Sequence, residues 1–249
     1  MELYKSLISS VPAQTKVTMA VRGRYQTFVE TEGGAGLASL PLPGKTPYPD
    51  VRVCTEWLGK PLGELAAQLL SEDMELAALG CAAVNAWFNR RESLEALGVT
   101  LYPPEIDEGD VFRTLEPECS GKLVSTIGHF HGGEKLAGMR ELRVFEKHPR
   151  PGDYPEWEEE RLLPGSEIVV ITGMALTNGT MPRILELARG AEIVALSGPS
   201  VPTTPLWFEH GVTALFGTLC WDIPGCRKAV CSGGHKETWK YMGKSVLRR

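Results

Sequence analysis

The second half of the chain constrains the fold most. Apolar runs of strand length at Leu123–Ile127, 142–145, Ile168–Thr172, Ile193–Ser197 and 214–216 alternate with helical segments at 134–138, 155–163, 180–189, Pro205–His210 and Ile223–Cys231. Nearly continuous apolar strands interleaved with helices predict a parallel sheet covered on both faces. Such sheets take their ligands beyond the carboxyl ends of the strands. The residues that follow each strand are therefore the first place to look for function.

The first half reads differently. Val17, Met19 and Val21 alternate with other residues as a half-buried strand does, and Arg22-Gly23-Arg24 reads as a turn. The returning strand covers 26–30, a second turn falls at Gly33-Gly34-Ala35-Gly36, and a third strand covers 37–40. Short strands in succession imply an antiparallel meander. The proline-rich segment 41–50 reads as a loop. Helices are predicted over 61–70, with Pro61 at the first turn, and from about Met74 to Asn89. The polar stretch around Tyr102-Pro103-Pro104 and 105–110 reads as a linker. The predicted organisation is a smaller α+β domain over 1–115, then an α/β domain with a Rossmann-like parallel sheet over 116–249.

Bulk properties exclude some functions. A net charge of −5 lacks the basic footprint of a nucleic-acid binder. Lys236, Lys240, Lys244, Arg248 and Arg249 gather late in the chain and read as a solvated helix face. No stretch approaches the ~18 uninterrupted apolar residues of a membrane span, and residues 1–5 lack a secretory apolar core. Six cysteines without an export signal lead to the expectation of reduced thiols in a cytoplasm. The sequence does not set an oligomeric state.

The strand ends carry small or polar residues. Gly128-His129-Phe130-His131-Gly132-Gly133 follows the first strand and Glu146 the second. Thr172-Gly173 and Asn178-Gly179-Thr180 follow the third, and Gly198-Pro199-Ser200 the fourth. Glycine admits a ligand close to the backbone. Thr180, with Pro182 in the first turn, is placed to cap a helix whose free N–H groups could hold an anion, and Ser200 could do the same at the next helix. Glu146 could accept from a hydroxyl or an amine. Turn chemistry alone also selects Gly, Asn, Ser, Thr and Pro, so each position by itself reads equally as a local cap. No G-x-G-x-x-G follows the first strand, which disfavours a standard dinucleotide site.

Metal and nucleophile patterns are sparse. His129 and His131 form an H-x-H pair whose side chains would share one side of an extended segment, with Glu146 as a further donor. Cys220, Cys226, Cys231 and His235 are separated by five, four and three residues, and only the Cys226–Cys231 interval comes near a zinc pair. No G-x-S-x-G, H-E-x-x-H or G-x-x-x-x-G-K-[ST] occurs.

Residues 162–173, Leu-Leu-Pro-Gly-Ser-Glu-Ile-Val-Val-Ile-Thr-Gly, continued by Ala175-Leu176-Thr177-Asn178-Gly179-Thr180, resemble the central motif of the putative heavy-metal chelation family. So do 196–202 with Pro205-Leu206-Trp207-Phe208 and Gly211-Val212. Glu146 with 149–155, Gly34-Ala35-Gly36-Leu37-Ala38 and Asn85-Ala86 extend the resemblance over nearly the whole chain. The resemblance implies an enolase-N-terminal-like domain joined to a Rossmann-like domain, with a site between them. By position, that site would draw on Glu146, Thr172, Gly173, Asn178, Thr180, Gly198, Pro199, Ser200 and Asn85. Three functional readings follow. One is handling of a divalent heavy metal or metallo-ligand, with His129, His131 and Glu146 as donors. Another is an enzyme acting on a small anionic, nucleotide-like or pterin-like molecule. The third is a ligand-binding module without turnover.

Overall fold

A computed structural model describes residues 2–41, 50–106, 108–130 and 138–249. The chain opens with helix α1 (Glu2–Ser9), then strands β1 (Val17–Arg22), β2 (Gln26–Thr31), β3 (Gly34–Ser39) and β4 (Arg52–Val53). These form an antiparallel sheet in the order β3-β2-β1-β4. The expected second turn is shorter than its glycines suggest, because β3 already starts at Gly34 and pairs with Thr31. Helices α2 (Leu62–Ala66), α3 (Met74–Phe88) and α4 (Arg91–Ala96) follow. The predicted helix over 61–70 is α2 continued by a tighter 3₁₀ turn, Ala67–Leu70.

Asp73 starts α3 by accepting from the N–H groups of Glu75 (2.8 Å) and Leu76 (3.3 Å). Every residue from Ala77 to Ala86 is buried, so the helix is enclosed all round and not amphipathic. Its small residues let strands approach closely. A Cβ on Gly36 of β3 would run into the Ala86 nitrogen and the Ala82 oxygen. Only glycine lets β3 lie this near the helix backbone.

Beyond α4 come β5 (Thr100–Tyr102), α5 (Val111–Cys119), β6 (Leu123–Ile127), β7 (Glu141–Glu146), β8 (Tyr154–Pro155), α6 (Glu159–Leu162) and β9 (Ile168–Thr172). The chain ends with α7 (Met174–Thr177), α8 (Met181–Leu187), β10 (Ile193–Ser197), β11 (Ala214–Cys220), α9 (Ile223–Cys231), α10 (His235–Trp239) and β12 (Met242–Arg248). Among the described residues the second sheet has the order β5-β12-β11-β10-β9-β6-β7-β8. Strands β8, β7, β6, β9, β10 and β11 run parallel, while β12 and β5 are antiparallel additions.

The parallel core is buried on both faces. Along β9, Ile168 and Val170 face a cluster with Val111, Phe112 and Leu115 of α5. Val169 and Ile171 face the larger core, which contains Ile184 and Leu185 of α8 together with α1, α2 and α3. This is the alternation expected when helices cover both sides. One core therefore joins the first half of the chain to the sheet of the second.

Near the boundary expected at residue 115, β5 pairs with β12 and α5 packs on the face of the second sheet. One expectation needs correction. Lys244 and Arg248 lie on β12, which pairs with β11 on one side and β5 on the other, and not on a helix face. The stretch 134–137 of the predicted helix over 134–138 lies outside the described residues.

Candidate functional site

The strand order reverses between β6 and β9. From β6 the chain moves outward through β7 and β8, then returns to β9 and proceeds the other way through β10 and β11. At such a switch point the connections leave in opposite directions and a crevice opens between them. A cavity of about 310 Å³ lies here. Ile127, Gly128 and His129 line it from the end of β6, Phe145 to His148 from the end of β7, and Thr172, Met174, Ala175, Asn178 and Thr180 from beyond β9. Glu156 and Glu159 form another part of the wall, and Pro41 and Met74 come from the first half of the chain.

The turn after β6 is held by the end of β7. Gly128 has φ +96°, which a side-chain-bearing residue adopts only with strain. Its N–H donates to the Phe145 carbonyl (2.9 Å), and the next N–H, of His129, donates to Glu146 Oε1 (2.8 Å). The His129 ring is fixed in turn, with Nε2 2.6 Å from Asp153 Oδ2. Asp153 Oδ2 also accepts from the Arg150 N–H (2.7 Å). Burial pushes the Asp153 carboxyl up, but the Arg150 N–H, the His129 bond and the charges of both residues outweigh it, and its pKa falls below the usual value. An ionised Asp153 fixes the proton on His129 Nε2 and leaves Nδ1 as the ring's second site.

The cavity is rich in carboxylates. Glu146, Glu156 and Glu159 share it with Lys147, whose Nζ lies 3.8 Å from Glu156 Oε2. Desolvation, then repulsion from Glu156, pushes the Glu159 carboxyl up to about 7. Near neutral pH this group exists in both protonation states, so the charge of the cavity is adjustable.

Of the residues singled out in the sequence, His129, Glu146, Thr172, Asn178 and Thr180 line this cavity. His131 lies outside the described residues. Asn178 and Thr180 are bonded to each other: Asn178 Oδ1 accepts from the Thr180 N–H (3.1 Å) and hydroxyl (2.7 Å). Thr180 therefore makes no side-chain cap on α8, contrary to expectation.

The others serve the joint between the two halves. Asn85 is fully buried and donates from Nδ2 to the carbonyls of Leu37 (2.7 Å) and Pro199 (2.9 Å). Ser200 Oγ accepts from the Ser39 N–H (2.8 Å), and its carbonyl from Cys81 Sγ (3.3 Å). Ser200 therefore starts no helix; Thr204 does, accepting from the Leu206 N–H. Gly173 is packed tightly, since a Cβ there would lie 2.8 Å from the Ser200 carbonyl carbon. Gly198 makes a turn at φ +115°. None of Asn85, Gly173, Gly198, Pro199 and Ser200 lines the cavity.

Of the late cysteine cluster, the three thiols are described, and the His235 side chain lies outside the described residues. Among the described residues no three His, Cys, Asp or Glu side chains converge to hold an ion. Cys226 Sγ donates to the Tyr241 carbonyl (3.2 Å), and the Cys220 thiol is pushed well up by its hydrogen bond with Cys226 and by burial. In this state both thiols keep their protons. All six cysteines are free. No described helix is long and apolar enough to cross a membrane.

Sequence reasoning missed Asp153, His148, Glu156 and Glu159. Asp153 had a signal, because an aspartate before Tyr154 and after Pro151-Gly152 sits in a turn that follows β7. Glu159 had none, since Glu158-Glu159-Glu160 reads as an exposed helix face.

Fold and site together define an α/β protein with a ligand-sized, carboxylate-rich cavity at the reversal point of its parallel sheet. Residues 110–249 match one family model and residues 4–88 another, each described as "Putative heavy-metal chelation". The chain belongs to this putative heavy-metal chelation family. It is 27% identical over 170 residues to an uncharacterized protein of Methanocaldococcus jannaschii. That match takes in 67% of this chain and 63% of the relative, less than two thirds of its length. A crystal structure of a DUF364-family protein of unknown function from Desulfitobacterium hafniense superposes with a TM-score of 0.86 at 29% identity, covering 100% of this chain and 97% of that one. A second, from Pyrococcus horikoshii, shares the fold with a TM-score of 0.75 at 19% identity, over 99% and 98% of the two chains.

Proposed function

We propose that the chain handles a heavy metal already carried by a small organic chelator, and that the cavity at the β6–β9 switch point receives this complex. The His129–Asp153 pair carries the reading. A metal-binding histidine commonly gives its other ring N–H to a carboxylate, which fixes the tautomer and raises the basicity of the free nitrogen. Asp153 makes this bond to Nε2, leaving Nδ1 as the donor. Glu146 has one oxygen committed to the His129 N–H and a second to offer.

Two donors suit a chelate better than a bare ion. A bare divalent ion held by protein alone takes three or four side-chain ligands. Among the described residues no such group of three is present. A metal that brings its own ligands needs only its open positions filled. The carboxylates of the cavity favour a cationic or neutral complex over an anionic substrate. The helix starts that would have cradled an anion are already engaged: the Thr180 N–H by Asn178, and Ser200 by Ser39. The Rossmann-like strand order and the wall from the first half support placing the ligand between two domains.

The test is binding of Ni(II)–tris(2-aminoethyl)amine, a cationic chelate with two open positions, to tag-free protein by calorimetry, beside free Ni(II), Co(II) and Zn(II). The expected result is saturable binding of the chelate, abolished in His129→Ala and weakened in Glu146→Gln. No binding, or binding that both variants retain, overturns the reading.

A further inference from the structure

A second cavity, of about 240 Å³, lies behind His129. Its lining includes Phe112, Thr126, Phe130, Leu142, Val144 and Asp153. The register of the sheet separates it from the cavity described above. Ile127 pairs with Phe145, and both belong to the core shared with the first half of the chain. Thr126 pairs with Val144, and Val124 with Leu142, on the opposite face, which α5 covers. In a strand, neighbouring residues point to opposite faces. The two cavities therefore occupy the two faces of the β6–β7 ladder, and His129, just beyond the end of β6, borders both.

The walls of this second chamber have a definite chemistry. Phe112 and Phe130 meet edge to face, with centroids 5.7 Å apart, and Leu142 and Val144 extend the apolar surface. Into it the structure places a carboxylate, Asp153, whose side chain is only 7% exposed. Among the described residues only its Oδ2 is engaged, by His129 and by the Arg150 N–H, so Oδ1 is left to accept. Thr126 contributes a buried hydroxyl that meets no hydrogen-bond partner. Buried polar atoms that go unpaired cost free energy which a ligand can recover.

We propose that this chamber is a binding site for a small aromatic ring bearing a cationic N–H group, such as an aromatic amidine or amine. The ring lies against Phe112, Phe130 and Leu142, and the N–H donates to Asp153 Oδ1. Aromatic faces attract a cation through their quadrupole, and a charge-assisted bond to a carboxylate is stronger than a neutral one. The chamber lies on the opposite face from the proposed chelate site and shares the His129–Asp153 pair with it; its test contains no metal, so each reading can fail alone.

Benzamidine is the probe, with benzoate and toluene as controls for charge and for ring alone. The assay is calorimetric titration of the whole chain, followed by a crystal structure of the soaked protein. Benzamidine is expected to bind saturably, about tenfold or more tighter than either control. Asp153→Asn should remove that preference. Leu142→Trp fills the chamber from its apolar wall and keeps Asp153 in the chain, and should abolish binding while the circular-dichroism spectrum stays native. Equal affinity for benzamidine and benzoate overturns the proposal. So does binding that survives Leu142→Trp, or benzamidine found only in the larger cavity.

Discussion

Asn89 holds the end of α3 against the second half of the chain, and its removal should be among the most costly single changes outside the apolar core. The side chain is 2% exposed. Nδ2 donates to the carbonyls of Val201 and Thr218, both at 2.9 Å, and Oδ1 accepts from the Thr203 N–H at 2.8 Å. Asn89→Ala strands two buried carbonyls and one N–H. Each hydrogen bond contributes about 1 kcal/mol net, and each buried group left unpaired costs about 1–3 kcal/mol. Water entering the space recovers part of this, so the expected loss is about 3–5 kcal/mol. For a chain of this size that lowers the melting midpoint by about 10 °C. Because one core spans both halves, the change should move a single cooperative transition.

Asn89→Asp sharpens the test. It keeps an acceptor for Thr203 but turns a carboxylate oxygen toward two carbonyl oxygens. Burial and these oxygens favour the protonated form, so the folded-state pKa rises above the unfolded value of about 3.9. The native state then binds more protons, and stability present at low pH is lost as pH rises through the folded pKa. Urea denaturation of both variants at pH 7 and near pH 4 supplies the measurement. A loss below about 1 kcal/mol in Asn89→Ala refutes the reasoning. An aspartate variant whose deficit relative to wild type does not grow with pH refutes it equally.

Other consequences are open to similar measurement. Glu159 keeps its proton up to about pH 7 in the folded chain, so wild-type stability should decline as pH rises from about 4.5 to above 7. Glu159→Gln should remove that decline and gain about 1–2 kcal/mol at pH 8 in chemical denaturation, the figure discounted for the carboxyl's contact with water; no gain at pH 8 counts against a desolvated carboxyl. Gly36→Ala drives a methyl into the backbone of α3 and should cost about 3 kcal/mol or more, whereas a midpoint within 2 °C of wild type would mean that β3 and α3 can separate freely. Ser200→Ala leaves the Ser39 N–H without its acceptor and should cost about 1–2 kcal/mol while chelate binding stays unchanged; loss of binding with full stability would return Ser200 to the ligand site.

How much of this was legible depends on what each residue answers to. The parallel strands were readable because both of their faces are buried: Ile168, Val169, Val170 and Ile171 alternate between two cores, so no polar residue interrupts the run. The meander was readable as strands, but not its surroundings. Val21, Phe28 and Leu37 meet Cys226 and Val230 of α9 and Met242 of β12, residues some two hundred positions away that no local pattern announces. Strand β12 was hidden by Lys244 and Arg248, whose long side chains tolerate a sheet edge or a helix face equally well.

The site divides along the same line. Polar residues at the carboxyl edge of a parallel sheet have two uses, binding a ligand or fastening whatever covers the edge, and both select Gly, Ser, Thr and Asn. In this chain the edge is partitioned at the switch point. Beyond β10 and β11, α3 and β3 close over it, and Asn85, Asn89, Pro199 and Ser200 are spent on that seal. Among the described residues the ends of β6, β7 and β9 are left uncovered by that seal, which is why His129, Glu146, Thr172 and Asn178 border the cavity and the equally suggestive Gly198-Pro199-Ser200 does not. The order of strands decides which polar strand ends meet solvent, and that order is a property of the folded chain that no single segment carries.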